Sequence, residues 1–377
     1  MRPLFSHGSL LCGLLLNACA IQGPDNLQGS RLAYNSAIQQ SEQRELLLNL
    51  VRLRHAEEPE FLAVSGISTQ MQFEASMGTG AELSDEPTLY SPGVQLRYSE
   101  SPTITLTPQR DQEFTRQLLA PIAIDVMYLA HREGWRLSTV LQLVVEQLNQ
   151  LPNPADASSS AQTPFGAVSQ ALEHWQQQGV LDIAVEQRLE PVSTELPRSS
   201  LGLSDHLAAL EAGYQLHYND RSDAFRIMRP VQHYFLDIHP EARSNATLQN
   251  LLVSLGLPQG LTEYEIDPTG ERFSRPSPAL RVRTRSVLGA MRYLAQSVPT
   301  DQPLEGSGSP PLLNITRSAR QLPDASISVP YGGDWYSVHS KDRSSRETLS
   351  LMIALMRLNL SASGAQHVPV LTLPVAP

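Results

Sequence analysis

Two cysteines are all that this chain of 377 residues contains, Cys12 and Cys19. Everything after them lacks the partners for an internal disulfide, so the body depends on packing for its stability. Lysine is scarcer still: Lys341 is the only one, and the rest of the positive charge is arginine. That bias suits planar, bidentate pairing with carboxylates or phosphates, and it also follows from a GC-rich genome alone. Positive charge is outnumbered, with 28 Lys plus Arg against 38 Asp plus Glu and a net charge of -10. Such acidity argues against general nucleic-acid binding and against an electrostatic grip on anionic lipid. No apolar run approaches the roughly 20 residues that a membrane-spanning helix takes. Hydrophobic residues at 41% with charged residues at 18% are nevertheless the balance of a folded globular protein.

Catalytic signatures are missing too. There is no GxSxG elbow, no SxxK around Lys341, no HExxH, and neither GxxxxGK[ST] nor GxGxxG. The turn Asn219 to Asp223 offers oxygen ligands but has neither the Gly nor the closing Glu of a calcium loop, and reads as a tight turn. His233, Asp237 and His239 share a parity, and His217 lies on a neighbouring hairpin; they read as a zinc-type cluster or as the wet face of a strand. His131 and His339 are the histidines around which a dispersed triad would have to form.

What is present begins at the start. Arg2 precedes the short apolar run LLCGLLLNAC, Leu10 to Cys19, which ends in Leu16-Asn17-Ala18-Cys19. A charged start, a short apolar core and a small residue before the cut make a secretory leader. Cys after the small residue makes it a lipoprotein leader, with Leu16 and Ala18 read by the peptidase and Cys19 Sγ carrying lipid. The plainer readings are an ordinary cleaved leader or a short uncut anchor. Two or more acyl chains, at about 0.8 kcal/mol per buried methylene, hold a protein stably where one does not. Ala20 and Ile21 follow Cys19 where Asp would stand in a retained lipoprotein. By resemblance to Gram-negative sorting, this implies the periplasmic face of the outer membrane.

The expected organisation is a leader at 1–18, a polar tether at 19–30, an N-terminal domain at 31–155 and a C-terminal domain at 163–377. Asp156 to Gln162 is the linker, and a second loose stretch lies at 299–311. A long helix from Ala33 to His55 carries an apolar surface too wide for a stripe, with Asn49 and Arg52 three apart inside it. Those two are an internal polar site or a satisfied structural network.

Ile67 to Ala75 alternates as a strand. Val94 to Tyr98 turns through Ser99 to Pro102 into Ile104 and Leu106 as a hairpin. Helices follow from Asp111 and from Ile122 to Arg132, and Ser138 caps another that runs through Leu148. Thr163 and Pro164 open a helix that Gly179 closes, and Asn245 opens one through Leu255. Strands are expected at 180–185, 214–218, 225–228, 234–238 and 280–284, with short helices at 204–212 and 286–297. Near the end come two strands about Gly332-Gly333, a helix from Ser345 to Leu360, and an edge strand in HVPVLTLPV. Trp335, Tyr336, His339, Lys341, Arg343 and Arg346 crowd together there, as an aromatic and cationic hook or as a core Trp with a solvated loop. The pattern as a whole is α+β, with antiparallel hairpins and small sheets packed with several amphipathic helices.

Tyr34-Asn35-Ser36-Ala37, LLLNLVRLR, Pro59 with FLAVS, RTRSVLGAM at Arg283 to Met291 and PVLTLPV at Pro369 to Val375 together resemble a family of proteobacterial lipoproteins of similar length. His55 stands where that family has an aromatic residue. The resemblance implies an exported, lipid-anchored globular protein and carries no activity. The functional expectation is a non-enzymatic binding or scaffolding subunit of an envelope assembly. Its attachments are the membrane, through lipid on Cys19, and an envelope protein partner, with no nucleic acid and no cofactor beyond the lipid. The alternatives are an envelope or cell-wall-acting enzyme with a dispersed site, or a periplasmic carrier of a small ligand.

Overall fold

The computed structural model describes residues 23–80, 91–153, 163–267, 279–300 and 312–361. Leu16, Ala18 and Cys19 lie outside these residues, as do the segment expected to be a linker, most of 299–311 and the final edge strand. The architecture is α+β. Contacts divide it into two compact units, Glu58–Thr115 and the remainder of the chain on either side of it.

The larger unit opens with α1 (Gly23–Arg54), so the helix expected near Ala33 begins inside the stretch read as tether. Its last turns supply the core, with Leu46, Leu47, Leu50 and Val51 all buried. Asn49 is fully buried among them and accepts from Arg52 Nη1 at 3.3 Å, a structural pair rather than an open site. After α2 (Gln112–Leu119) come α3 (Ile124–Arg132) and α4 (Leu137–Val144). The helix expected to continue through Leu148 stops at Val144 and passes directly into β3 (Val145–Leu148), which turns into β4 (Leu151–Pro152).

Beyond 154–162 the chain forms α5 (Pro164–Gln177), β5 (Leu181–Pro191), β6 (Leu196–Pro197), α6 (Leu203–Glu211), β7 (Gln215–Asn219) and β8 (Ala224–Ile238). Then follow α7 (Ala246–Ser254), β9 (Glu263–Asp267), β10 (Leu280–Thr284) and α8 (Val287–Ala295). One sheet collects strands from both sides of the expected linker in the order β4-β3-β10-β9-β8-β5, with β6 and β7 also on β8. The domain boundary expected at 156–162 therefore does not separate two units, because β3 pairs with β10 across it. β9 and β10 run parallel and the other pairs antiparallel.

A second, three-stranded sheet, β11 (Thr316–Ser318), β12 (Ala325–Tyr331) and β13 (Asp334–His339), precedes the terminal helix α9 (Arg343–Ser361). The β12–β13 turn uses Gly332 at φ 59° and Gly333 at φ 90°, conformations that glycine adopts without a steric penalty. Local start signals act as read: Thr163 Oγ1 accepts from Gly166 N at 3.2 Å, and Asn245 Oδ1 accepts from Thr247 N at 3.0 Å. Gly179, at φ 68°, closes α5.

The smaller unit is a ribbon of β1 (Leu62–Gly80) and β2 (Ser91–Pro108), paired antiparallel from Leu62↔Pro108 to Gly80↔Ser91. The turn expected at Ser99 to Pro102 is absent; β2 runs straight through it. An unbroken ladder to β1 overrides the local turn chemistry, and Pro102 is tolerated in a strand with a free edge.

Candidate functional site

Around α4 the interior is polar. This helix is buried at Leu137, Ser138, Val140, Leu141, Gln142, Leu143 and Val144, and its N-cap, Arg136, makes no side-chain cap bond. Both ends are satisfied from elsewhere in the chain. At the N-terminus, Glu173 of α5 accepts from Ser138 N through Oε2 at 3.0 Å and from Arg136 Nε through Oε1 at 3.1 Å. Burial pushes this carboxyl upward, but the bonds from Ser138 and Arg136 outweigh it and hold it below the usual carboxylate range.

At the C-terminus, Arg285 Nη1 donates to the carbonyls of Gln142 at 3.0 Å, Leu143 at 3.2 Å and Val145 at 2.7 Å. Its guanidinium lies over Tyr293, 4.2 Å from the ring centroid. A cleft of about 410 Å³ opens here, lined by Asn153, Glu146, Ser286, Arg292 and Gln296 beside Arg285 and Tyr293. With Nη1 committed to three carbonyls, the guanidinium serves as a cap for α4 rather than as a ligand-binding cation.

The expected chemical constellations disperse. His233 lies between Glu190 at 3.2 Å and Glu265 at 3.0 Å where three strands meet, while His217, Asp237 and His239 are exposed. Among the described residues no group of three or more side chains is placed to hold a metal. His131 is buried and 3.6 Å from Asp182, and His339 pairs with Asp324 at 3.1 Å. Neither contact brings in a serine nucleophile. Of the late aromatic and cationic cluster, Tyr336 is buried, Arg343 pairs with Glu347 one turn on, and Lys341 and Arg346 are exposed. Trp335 is only half-buried, so the core residue here is Tyr336 rather than the expected Trp, and the arginines lie on the first turn of α9 rather than on a loop. Asn219 Oδ1 accepts from Arg221 N at 3.2 Å, which makes 219–223 the tight turn its residues suggest.

A different feature lies between Ile183 and Tyr234, where Ala224 is the only buried residue. This lobe holds the outer part of β5, all of β6, α6 and β7, and the first half of β8. Main-chain ladders and a few surface contacts hold it. Phe225 meets His206 edge-on at 4.9 Å and Tyr218 at 5.0 Å, and Glu195 gathers Asn219 Nδ2 at 3.0 Å and Arg226 Nη2 at 3.2 Å. α6 has no buried residue at all. Its leucines, Leu203, Leu207 and Leu210, recur at the spacing of one helical face and are 78%, 53% and 59% exposed. Val185, Leu189 and Val192 on and after β5 are exposed as well. The α6 spacing is present in the sequence, but periodicity alone does not distinguish a covered apolar face from an open one.

No family model, curated protein or solved structure matches the chain.

Proposed function

We propose that this chain is a lipid-anchored, non-enzymatic subunit of an envelope assembly, tethered through Cys19 to the periplasmic face of the outer membrane. In this reading the lobe between Ile183 and Tyr234 docks another envelope protein. The observation that carries it is the apolar stripe of α6, open to solvent on a lobe that buries almost nothing of its own. Ordering a residue's backbone costs about 1–2 kcal/mol, and burial of large apolar side chains is what ordinarily offsets it. A lobe without that burial gains it from a partner whose surface covers Leu203, Leu207 and Leu210. The leader supplies the second support, since it places such a partner at the membrane.

The test is affinity purification from gently solubilised membranes, comparing the native protein, Cys19→Ala, and the double variant Leu203→Asp with Leu207→Asp. Both leucines are exposed, so the double variant is expected to keep the native far-UV spectrum and to melt within a few degrees of the native protein. A stoichiometric partner is expected with the native chain and at least tenfold less of it with the double variant. Cys19→Ala is expected to lose incorporation of labelled palmitate. Recovery of the chain alone in every preparation would overturn the docking reading, and unchanged palmitate incorporation in Cys19→Ala would overturn the anchor.

A further inference from the structure

The ribbon of Glu58–Thr115 has an organisation that the tethered-subunit reading does not use. β1 and β2 pair with each other through their whole length and with no third strand among the described residues. At about 3.4 Å per residue, strands this long reach about 60 Å. An isolated two-stranded ribbon is only marginally stable in water, and each outer edge is a row of main-chain donors and acceptors open to another strand.

The register sorts the two faces by chemistry, because residues opposite one another lie on the same side. On one face Ile67 stands opposite Ile104, Phe73 opposite Tyr98, and Met77 opposite Val94. On the other, Gln70 stands opposite Ser101, Gln72 opposite Ser99, and Ser76 opposite Gln95. The register shift between Val64 and Gly66 preserves this sorting: Val64, opposite Leu106, joins the face of Ile67 although its sequence parity differs. The alternating stretch from Ile67 to Met77 is eleven residues long, and a transmembrane β-strand takes about 9–11.

A strand with an apolar side and a small, polar side is what a membrane barrel requires, lipid outside and water inside. One hairpin cannot enter a bilayer alone, because its two open edges would remain unsatisfied; only a closed barrel removes them. The ribbon of this chain supplies two strands, so the others come from further copies, β1 of one beside β2 of the next around a closed ring. The smallest such barrels have about eight strands, which sets about four copies as the minimum.

We propose that this ribbon is one hairpin of a homo-oligomeric transmembrane β-barrel, with the face of Ile67 and Phe73 toward lipid and the face of Gln72 and Ser99 toward a water-filled lumen. The proposal rests on the membrane placement above but not on the docking lobe. Two residues oppose it: Glu100, opposite Met71, falls at a register position of the apolar face, and Pro102 removes one main-chain donor. Insertion is therefore expected to strengthen in Glu100→Leu.

The full-length protein is suited to a labelling test, since Cys12 and Cys19 are its only cysteines. Single cysteines at each position from 67 to 77 are labelled with an environment-sensitive fluorophore, and the proteins are reconstituted into phosphatidylcholine vesicles. The parent without an added cysteine reports any thiol left at Cys12 or Cys19, which separates a failed lipid anchor from a failed barrel. The expected result alternates with a period of two: labels at 67, 73, 75 and 77 are quenched by a nitroxide lipid, and labels at 70, 72 and 76 by aqueous iodide. Chemical cross-linking gives a ladder ending at four or more copies. The vesicles leak a small dye, and the leak falls at least tenfold in Phe73→Glu but less than twofold in Gln72→Glu. Iodide quenching at every position would overturn the proposal. So would a cross-linked species that stops at two copies with odd positions shielded before vesicles are added, the mark of two ribbons packed face to face in water.

Discussion

Replacement of Arg285 by methionine is expected to destabilise the larger unit by about 3–4 kcal/mol, because several buried carbonyls lose a charged donor and each unsatisfied buried acceptor costs about 1–3 kcal/mol. Arg285 is 8% exposed. The groups it meets are carbonyls rather than a carboxylate. Gln142 and Leu143 belong to the last turn of α4, where the aligned peptide dipoles present partial negative charge, and Val145 follows directly. Burial pulls the guanidinium's pKa down, partly opposed by Tyr293 and Glu146, yet arginine keeps its proton in proteins and arrives at these carbonyls as a cation.

Methionine preserves much of the packing volume over Tyr293 and removes every donor. Asn153 Nδ2 still reaches Gln142 O at 2.8 Å and Val145 O at 2.6 Å, so the two side chains cap the same helix end jointly. A double-mutant cycle of Arg285→Met with Asn153→Ala is accordingly expected to be non-additive. Lysine at 285 keeps a charge but not the planar fork or the stacking, and an intermediate loss is expected. Amide hydrogen exchange provides the measurement. At about 1.4 kcal/mol per tenfold, α4 and β3 amides should exchange about a hundred- to a thousandfold faster in the methionine variant. Less than a tenfold change would mean that the carbonyls find water instead and that Arg285 is not the cap.

The reason this cap was not legible in the sequence is visible in α4 itself. Val140 through Leu148 contains no glycine or proline and many residues equally at home in a helix or a strand, so nothing local marks the change at Val144. The change is made by residues far along the chain: Arg285 N donates to Val144 O at 2.7 Å and Asn149 N to Arg281 O at 2.9 Å, which zips the segment onto β10. At the other end, Ser138 has the residue type of an N-cap but lies inside the helix, its amide taken by Glu173. Where the cap is local, as at Thr163, Asn245 and Ser286, the helix starts are readable because donor and acceptor lie within three residues. The ribbon shows the reverse failure. Ser99 to Pro102 carries turn residues, but the register of a long ladder outweighs them. The α6 stripe was legible as a helix and silent as a site, since exposure of Leu203, Leu207 and Leu210 depends on what the remaining chain leaves uncovered.

Glu173→Gln is expected to give the second large loss, and a change in pH dependence that identifies its origin. Glu173 is 7% exposed and serves the N-terminus of α4 as Arg285 serves the C-terminus, a carboxylate at the positive end of the dipole. Its folded pKa is depressed, since the hydrogen bonds from Ser138 and Arg136 outweigh the upward push of burial. The stability it contributes is therefore present above the unfolded pKa of about 4.3 and is lost as pH falls through the lower folded value. Native α4 should keep its amide protection from neutral pH down to about pH 4 and lose part of it below.

Glutamine retains an oxygen for Ser138 N but brings an amide donor toward Arg136 and Gln177, whose Nε2 donates to the same carboxylate at 3.1 Å. A hydrogen bond to a charged group contributes about 1.5–3 kcal/mol, so a loss of that size is expected at pH 7, with a flattened acid limb. Arg136→Ala serves as the control. Its side chain is 61% exposed, and an exposed ion pair contributes less than about 1 kcal/mol. If the glutamine variant keeps the native acid limb, the limb belongs to other carboxylates and the cap acts only through its geometry. If the limb disappears while Arg136→Ala retains it, the charge that stabilises α4 is held by the helix's own amides rather than by the arginine beside it.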